Sequence, residues 1–502
     1  GTSTDVSRYD GGIDQIYEHR VGDAELAAPA VDIETVAAGG GSVCGFDGIS
    51  LTVGPKSAGA DPGPACYGLG GPLTLTDVNL LAGRLHPDNF KISIQIKDAE
   101  MALESVLGRI NSSRDENLSR EELLSGYLEI ANERMAQAIR SISIQKGFDP
   151  SEYALVAFGG AGAQHALAVA EKLDMTSVLI PSDAGLLSAY GLNRALREEI
   201  AMSQLLMPLA DCADGFDERF QHLEEQGRSR LSAQGVKPDQ METVHRLVFL
   251  RFAGQDSSIE IEWKPTDDAA AIAERFNTAY RDQYGHLPDG REAEAEALLV
   301  IVREHETVEA YGAADPEMGR INNQVPESTD RVRSIWGTEY AIYHNHNVKP
   351  GDHIEGTTLI LDPFSTLFID RGWHASIRQD RTWIIKKASA GESKSASPAE
   401  RSHEVNLQLY INRFRSVADQ MGEMLRKTAL SVNVKERLDY SCALLDRDGF
   451  LVVNAPHIPV HLGAMGTCVR SLIGQIKKGP ASFLNGSGDA VDFEEGDVII
   501  TN

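Results

Sequence analysis

Positive charge is scarce in this chain: 47 lysines and arginines stand against 74 aspartates and glutamates, a formal net charge of −27 over 502 residues. Binding to a polynucleotide rests on clustered Lys and Arg that displace counterions from phosphates, so the deficit argues against a nucleic-acid partner. It does not exclude a small anion, which backbone amides can hold locally whatever the net charge. Cysteine is scarce as well. Cys44, Cys66, Cys212, Cys442 and Cys468 are odd in number, with no CxxC pair and no zinc-like spacing, and they read as reduced thiols rather than a disulfide framework. Long apolar runs are missing: stretches such as Val498-Ile499-Ile500 fall far short of the ~20 residues that span a bilayer. No basic segment followed by an apolar one opens the chain. The expectation is a cytoplasmic protein with no membrane partner. The chain also lacks an initiator Met, starting in GTSTD and stopping at GDVIITN, where a strand is emerging. Both ends therefore read as cuts through a longer polypeptide.

What is present organises into several units, as 502 residues predict for domains of ~100–200 residues. Residues 1–204 carry glycine clusters between short apolar strands and one long helix, an α/β signature. That helix is expected over about Ser119 to Lys146, because Leu124, Leu128, Ala131, Met135, Ile139 and Ile142 recur at three- and four-residue spacing and Gly147, Asp149 and Pro150 stop it. The run Tyr153–Phe158, the turn Gly159-Gly160-Ala161-Gly162, a helix and the run Ser177–Ile180 follow in the order of a nucleotide-binding α/β unit. Residues 205–387 read as a mixed α+β, β-rich domain: Leu247, Phe249 and Arg251, then Ile259, Ile261 and Trp263, alternate as half-buried strands do, and Ala269–Tyr284 reads as a helix. Residues 388–402 are small and polar and read as a linker. Over 403–502 a helix with Phe414, Val417, Met421, Leu425 and Thr428 on one stripe leads into a hairpin at Asp446-Arg447-Asp448-Gly449. No internal repeat of fixed period is present.

Six stretches could carry chemistry. Gly1-Thr2-Ser3-Thr4-Asp5 combines a glycine, three hydroxyls and a carboxylate; such a turn can present amides and hydroxyls to a phosphate while Asp5 serves a magnesium ion or its water, or it can simply cap a helix or strand. Gly39-Gly40-Gly41-Ser42 and Gly159-Gly160-Ala161-Gly162 with His165 are further glycine turns, each after an apolar run. Without Cβ atoms they let backbone approach a ligand, and the last one opens a helix whose first amides favour an anion. Lys56–Pro64 is a rigid loop stiffened by Pro and Gly, and in it and in Thr74–Asp77 the residues Asp61 and Asp77 are candidate catalytic carboxylates, a structural turn being the alternative. His457 and His461, four apart in an extended HIPVH run, point to one face; they suit a divalent metal or a plain structural role, and two histidines are an incomplete ligand set.

The stretches GTSTDV (1–6), AAGGGSVCGFDG (37–48), VGPKSAGADPGPACYGLGGPLTLTDVNLLAGRL (53–85) and FGGAGAQHA (158–166) resemble the hydantoinase A half of the 5-oxoprolinase and hydantoinase family. KERLDYS (435–441) and NAPHIPVHLGAM (454–465) are similar to the opening of its hydantoinase B half. Gln164 departs from the family pattern in the third turn. The resemblance implies an actin- and sugar-kinase-like ATPase domain, present in part, then a β-rich domain and the start of a hydantoinase B-like domain. It implies ATP and Mg²⁺ as cofactors, Gly1–Asp5 as the second phosphate motif and Gly159–Gly162 as the adenosine motif. The first phosphate loop would precede Gly1, and a further metal-binding segment, for a second divalent metal, would follow Asn502. The implied reaction is ATP-dependent hydrolysis of a small cyclic amide, 5-oxo-L-proline to L-glutamate, through phosphorylation of the lactam oxygen, by a homo-oligomer. A hydantoinase or an acetone or acetophenone carboxylase is the alternative within the superfamily; a nucleotide-dependent chaperone-like ATPase is the alternative outside it.

Overall fold

The long helix of the first unit begins where Ser119 and Glu122 close a reciprocal cap: the Glu122 carboxylate accepts from the Ser119 amide and hydroxyl, and the Ser119 hydroxyl accepts from the Glu122 amide. In the computed structural model, which describes residues 1–476 apart from 17–18, 22–23, 27–29, 114–116, 145–147, 256, 289, 306–324, 389–402, 436 and 456–461, it runs over Arg120–Ile144. All six residues of its expected apolar stripe are buried. The linker expected at 388–402 lies outside the described residues except for Ala388.

The principal elements before this helix are β1 (Thr4–Val6), β2 (Glu34–Val36), β3 (Ser42–Phe46), β4 (Leu51–Ser57), α1 (Leu75–Leu81) and α2 (Ile96–Ser112), the long helix itself being α3. After it come β5 (Leu155–Val156), α4 (Gly162–Lys172) and β6 (Ser177–Ile180). β5 and β6 pair in parallel, so strand, glycine turn, helix and strand form the expected βαβ unit.

The next unit contains β7 (Glu198–Pro208), α5 (Phe216–Ala233), β8 (Met241–Phe252), β9 (Ile259–Glu262), α6 (Ala269–Tyr284) and β10 (Ala293–Glu304). The strands make an antiparallel sheet in the order β7-β10-β8-β9. Phe216, Phe220, Trp263, Phe276 and Tyr280 fill the core between this sheet and the helices.

The strands that follow are β11 (Asp330–Arg333), β12 (Glu339–His344), β13 (His353–Glu355), β14 (Thr358–Asp362), β15 (Ser365–Ile369), β16 (Trp373–Ile377) and β17 (Trp383–Lys387). Here the segments expected as separate units, 1–204 and 205–387, meet in one sheet. β13, β16 and β17 join β6 and β5 in one five-stranded sheet, order β13-β16-β17-β6-β5. Trp373, Ala375, Ile377, Trp383 and Ile385 share a core with Val178, Ile180, Leu124 and Ala163 of the first unit. Residues 198–304 therefore form an insertion-like unit with its own core, and the chain returns to the first unit afterwards. Period-two burial, with Trp373, Ala375 and Ile377 inward and His374 and Ser376 half-exposed, shows why these strands seek a partner layer; it does not show whose layer it is. The last described part holds α7 (His403–Thr428), the expected hairpin as β18 (Ala443–Leu445) and β19 (Leu451–Asn454), and α8 (Leu462–Ile476). Asp446 closes that hairpin by accepting from the Asp448 and Phe450 amides.

Candidate nucleotide site

The first two glycine turns lock together. The Gly1 carbonyl accepts from the Gly41 amide at 2.9 Å, and β1 pairs antiparallel with β2, Asp5 lying opposite Thr35. A Cβ on Gly39 would stand 2.9 Å from the Gly1 carbonyl oxygen and 2.9 Å from the Thr2 carbonyl carbon. Only glycine permits that approach of backbone to backbone. Hydroxyls fasten the pair: Thr4 donates to the Ala38 carbonyl at 2.6 Å, and the Ser42 hydroxyl accepts from the Gly39 amide at 2.9 Å.

Two further segments close on this core. Thr76, at the start of α1, donates both its amide and its hydroxyl to the Gly40 carbonyl, at 2.8 and 2.9 Å. At the end of β4, the Ser57 hydroxyl lies 3.3 Å from the Thr2 hydroxyl, and the Ala58 amide donates to the Gly41 carbonyl. The outcome is an oxygen-rich surface on which Gly1, Thr2, Ser3 and Asp5 are exposed and Thr4 half-buried. Ser57 and Thr76 were within quoted loops but not singled out. Thr76 adjoins Asp77 in the sequence, whereas nothing local marks Ser57, and chain distance hides the proximity of these hydroxyls to Gly40 and Thr2.

The four candidate carboxylate and imidazole groups fall into two kinds. Asp5 is exposed, and one of its oxygens accepts from the Thr35 hydroxyl at 2.7 Å. Asp61 is also exposed, in the loop that leaves Ser57. Asp77 is fully buried and accepts from the amides of Ala65, Cys66 and Thr74 and from the Thr74 hydroxyl, at 2.7–3.1 Å. With its lone pairs engaged by four internal donors, it pins the 58–68 loop to the first turn of α1.

His165 is likewise engaged within the protein. It is buried, its Nδ1 lies 2.8 Å from Asn132 Oδ1 on α3, and its Nε2 lies 3.1 Å from Asn79 Nδ2 on α1. Asn79 Nδ2 also donates to the Leu75 carbonyl, which fixes that amide's orientation. The ring is therefore neutral, a donor at Nδ1 and an acceptor at Nε2. Burial, with Arg84 nearby, pushes its pKa down to about 3. It fastens α4 to α1 and α3 and contacts no solvent-exposed turn.

The third turn is placed by that fastening. Gly159, at φ +87°, donates its amide to the Ala184 carbonyl, and Gly160, Ala161 and Gly162 stand exposed or half-exposed ahead of the α4 amides. A Cβ on Gly160 would meet nothing nearer than the Phe364 carbonyl oxygen at 3.7 Å. The link from this turn to the other two runs through α4, His165, Asn79 and α1 to Thr76. His457 and His461 lie outside the described residues. A shallow groove beside α2 and the start of α3, lined by Lys97, Glu100, Met101, Glu104, Ser105 and Arg120, contains none of these groups.

Comparison with known proteins adds an independent line. A family model described as hydantoinase/oxoprolinase matches residues 1–200, its C-terminal domain model matches 209–388, and a hydantoinase B/oxoprolinase model matches 403–502. The chain is 34% identical to 5-oxoprolinase PfmaA of Pestalotiopsis fici over 97% of its own length and 39% of that protein's. It is also 34% identical to the 5-oxoprolinase of Saccharomyces cerevisiae, over 100% of itself and 39% of the relative. It thus spans about two fifths of the length of these curated relatives. The crystal structure of the ATP-dependent caprolactamase from Pseudomonas jessenii superposes with a TM-score of 0.63 at 25% identity, covering 73% of this chain and 54% of that one. Three consecutive family models, relatives matched over nearly the whole of this chain and a matching fold converge with the glycine-turn geometry: the chain belongs to the hydantoinase/oxoprolinase family.

Proposed function

We propose that this chain supplies the nucleotide-handling part of an ATP-dependent cyclic-amide hydrolase whose substrate is 5-oxo-L-proline and whose product is L-glutamate. The observation that carries the reading is the interlock of Gly1 with Gly39–Gly41, on which Ser57 closes at the Thr2 hydroxyl and Thr76 at the Gly40 carbonyl, with Asp5 exposed in the same first segment. Such a surface suits a polyphosphate, and phosphoryl transfer asks of a protein mainly positioning and charge neutralisation. An all-oxygen donor set of Asp5, Thr2 and Ser57 fits Mg²⁺ rather than a softer metal, and the ion would supply neutralisation of phosphate charge. The names of the relatives at 34% identity support the lactam.

An amide resists water because resonance lowers its electrophilicity. Transfer of the ATP γ-phosphoryl group to the lactam oxygen, with ADP leaving, removes that resonance; water then adds to the activated carbon, the C–N bond breaks to give an acyl phosphate and a free amine, and a second water releases phosphate and the carboxylate. The chain's own residues hold the triphosphate: the first two turns at the phosphates, and the Gly159–Gly162 turn, by its open backbone, at the adenosine end.

The test is ATP hydrolysis by the full-length protein with 5-oxoproline, a hydantoin or acetophenone present. Stimulation by 5-oxoproline, with glutamate formed in step with ADP, supports the reading. Stimulation by hydantoin or acetophenone alone rejects the substrate, and ATP turnover indifferent to all three rejects the enzyme.

A further inference from the structure

β13 and β16 are adjacent antiparallel strands, and their register sets Glu355 opposite His374 and His353 opposite Ser376. Residues two apart on a strand share a face, as do directly opposed residues on antiparallel neighbours. His353, Glu355 and His374 therefore project together. Their face is the one turned away from the core, since Ile354, Ala375 and Ile377 occupy the other. The side chains have closed on one another: His353 Nε2 lies 3.1 Å from Glu355 Oε1, His374 Nδ1 lies 4.0 Å from the same oxygen, and the two rings stack at 5.8 Å. One ligand atom from each residue falls within 4.8 Å of the others.

We propose that His353, Glu355 and His374 form a binding site for a zinc-type divalent cation, separate from the nucleotide surface. Two imidazoles and a carboxylate are a donor set for borderline transition metals rather than for Mg²⁺ or Ca²⁺, which take oxygen ligands. Donors about 2 Å from such an ion stand roughly 3–3.5 Å apart, so the observed 3.1 and 4.0 Å spacings need only a side-chain rotation. The geometry also selects the ligating nitrogen of His353: its Nδ1 is shut off from solvent without a hydrogen-bond partner, leaving Nε2, the nitrogen against Glu355, as the ring's polar outlet. Half-exposure of both histidines leaves room for water in the remaining coordination positions. β13 is an edge strand of the five-stranded sheet, so a bound ion would staple that edge to β16, a job hydrogen bonding does from one side only.

The experiment uses full-length protein carrying His457→Ala and His461→Ala, which removes the histidine pair named as a metal candidate from the sequence. It is stripped with a chelator and titrated with Zn²⁺ by calorimetry and with Co²⁺ by visible absorption. The expected result is one Zn²⁺ equivalent whose affinity drops at least about tenfold in His374→Ala and in Glu355→Gln, while the metal-free melting temperature stays the same in all three. Zn²⁺ should raise the melting temperature of the parent but not of the variants, because only the folded register assembles the ligands. Equal stoichiometry and affinity in parent and variants, or no equivalent bound by the parent, would overturn the site. Neither result bears on ATP or lactam turnover.

Discussion

Arg413 of α7 and Glu133 of α3 meet through two hydrogen bonds, Nε to Oε1 at 3.2 Å and Nη2 to Oε2 at 3.1 Å, joining the segment matched by the hydantoinase B model to the central helix of the first unit. The Glu133 side chain is fully buried and also receives Arg140 at 3.0 Å and Lys172, the last residue of α4, at 3.2 Å. Burial pushes this carboxyl up, but Arg413, Lys172 and Arg140 together outweigh it and hold it at about 2. α4 begins at the third glycine turn and ends at this cluster, so one rigid helix connects the two places.

Glu133→Gln is expected to destabilise the protein by about 3 kcal/mol, since it leaves three cations around a neutral side chain. Arg413 is half-exposed, so Arg413→Ala should cost less, about 1 kcal/mol. Urea midpoints for both variants check the ranking. Equal costs would mean that the contact between halves, rather than the buried charge, dominates.

Acid stability has a specified sign. His165 has its pKa depressed to about 3 by burial, so the folded protein binds its proton less readily than the unfolded chain does. Its neutral, bridged form contributes stability above the unfolded value of about 6.5, and this is lost as pH falls toward 3, at about 1.4 kcal/mol per unit. Glu133, also depressed, adds a loss between its ordinary range and about 2. Unfolding free energy measured from pH 7 to pH 4 should fall in the wild type and more shallowly in His165→Gln. A parallel decline in both would show that other groups carry the acid limb.

The two kinds of glycine predict different failures. Gly39→Ala would place a methyl 2.9 Å from backbone atoms of Gly1 and Thr2, which cannot move like a side chain. It should separate the first two turns and lower both kcat and ATP affinity in the full-length protein. A Cβ on Gly160 meets only an ordinary van der Waals contact, the Phe364 carbonyl oxygen at 3.7 Å, so Gly160→Val should leave the melting temperature nearly unchanged while raising the KM for ATP steeply. An unchanged KM would remove the third turn from the nucleotide site.

Much of this was legible in the sequence for a physical reason: local periodicity and glycine turns are written in neighbouring residues. The α3 stripe, the βαβ unit and the Asp446 hairpin stand where spacing placed them. Contacts between distant segments were not legible. Nothing near Trp383 announces that β17 pairs with Ser177–Ile180, and nothing near Ser57 announces Thr2, 55 residues away. Burial was equally hidden: Asp77 and His165 look like chemistry in a string of letters, because a carboxylate that accepts four internal donors and one that faces solvent are the same letter.

That distinction sets the last prediction, a comparison of Asp5 with Asp77. Asp5 is exposed and holds one protein hydroxyl, so Asp5→Asn preserves size and removes a charge without stranding a buried group. Stability should change by less than about 0.5 kcal/mol, while turnover with ATP and 5-oxoproline should fall far more than substrate affinity, because charge beside the transferring phosphoryl group matters most in the transition state. Asp77→Asn replaces an acceptor-only group, buried among three amides and a hydroxyl, with one that must point N–H bonds at N–H donors. Each amide left unsatisfied costs about 1–3 kcal/mol, so this variant should lose stability first. Its activity should recover in part at low temperature or with an osmolyte, as a loop-fastening role requires. Chemical denaturation and steady-state kinetics on the two variants separate the cases. If Asp5→Asn turned over normally, the first turn would be a structural cap; if Asp77→Asn were stable but inactive, Asp77 would be catalytic after all.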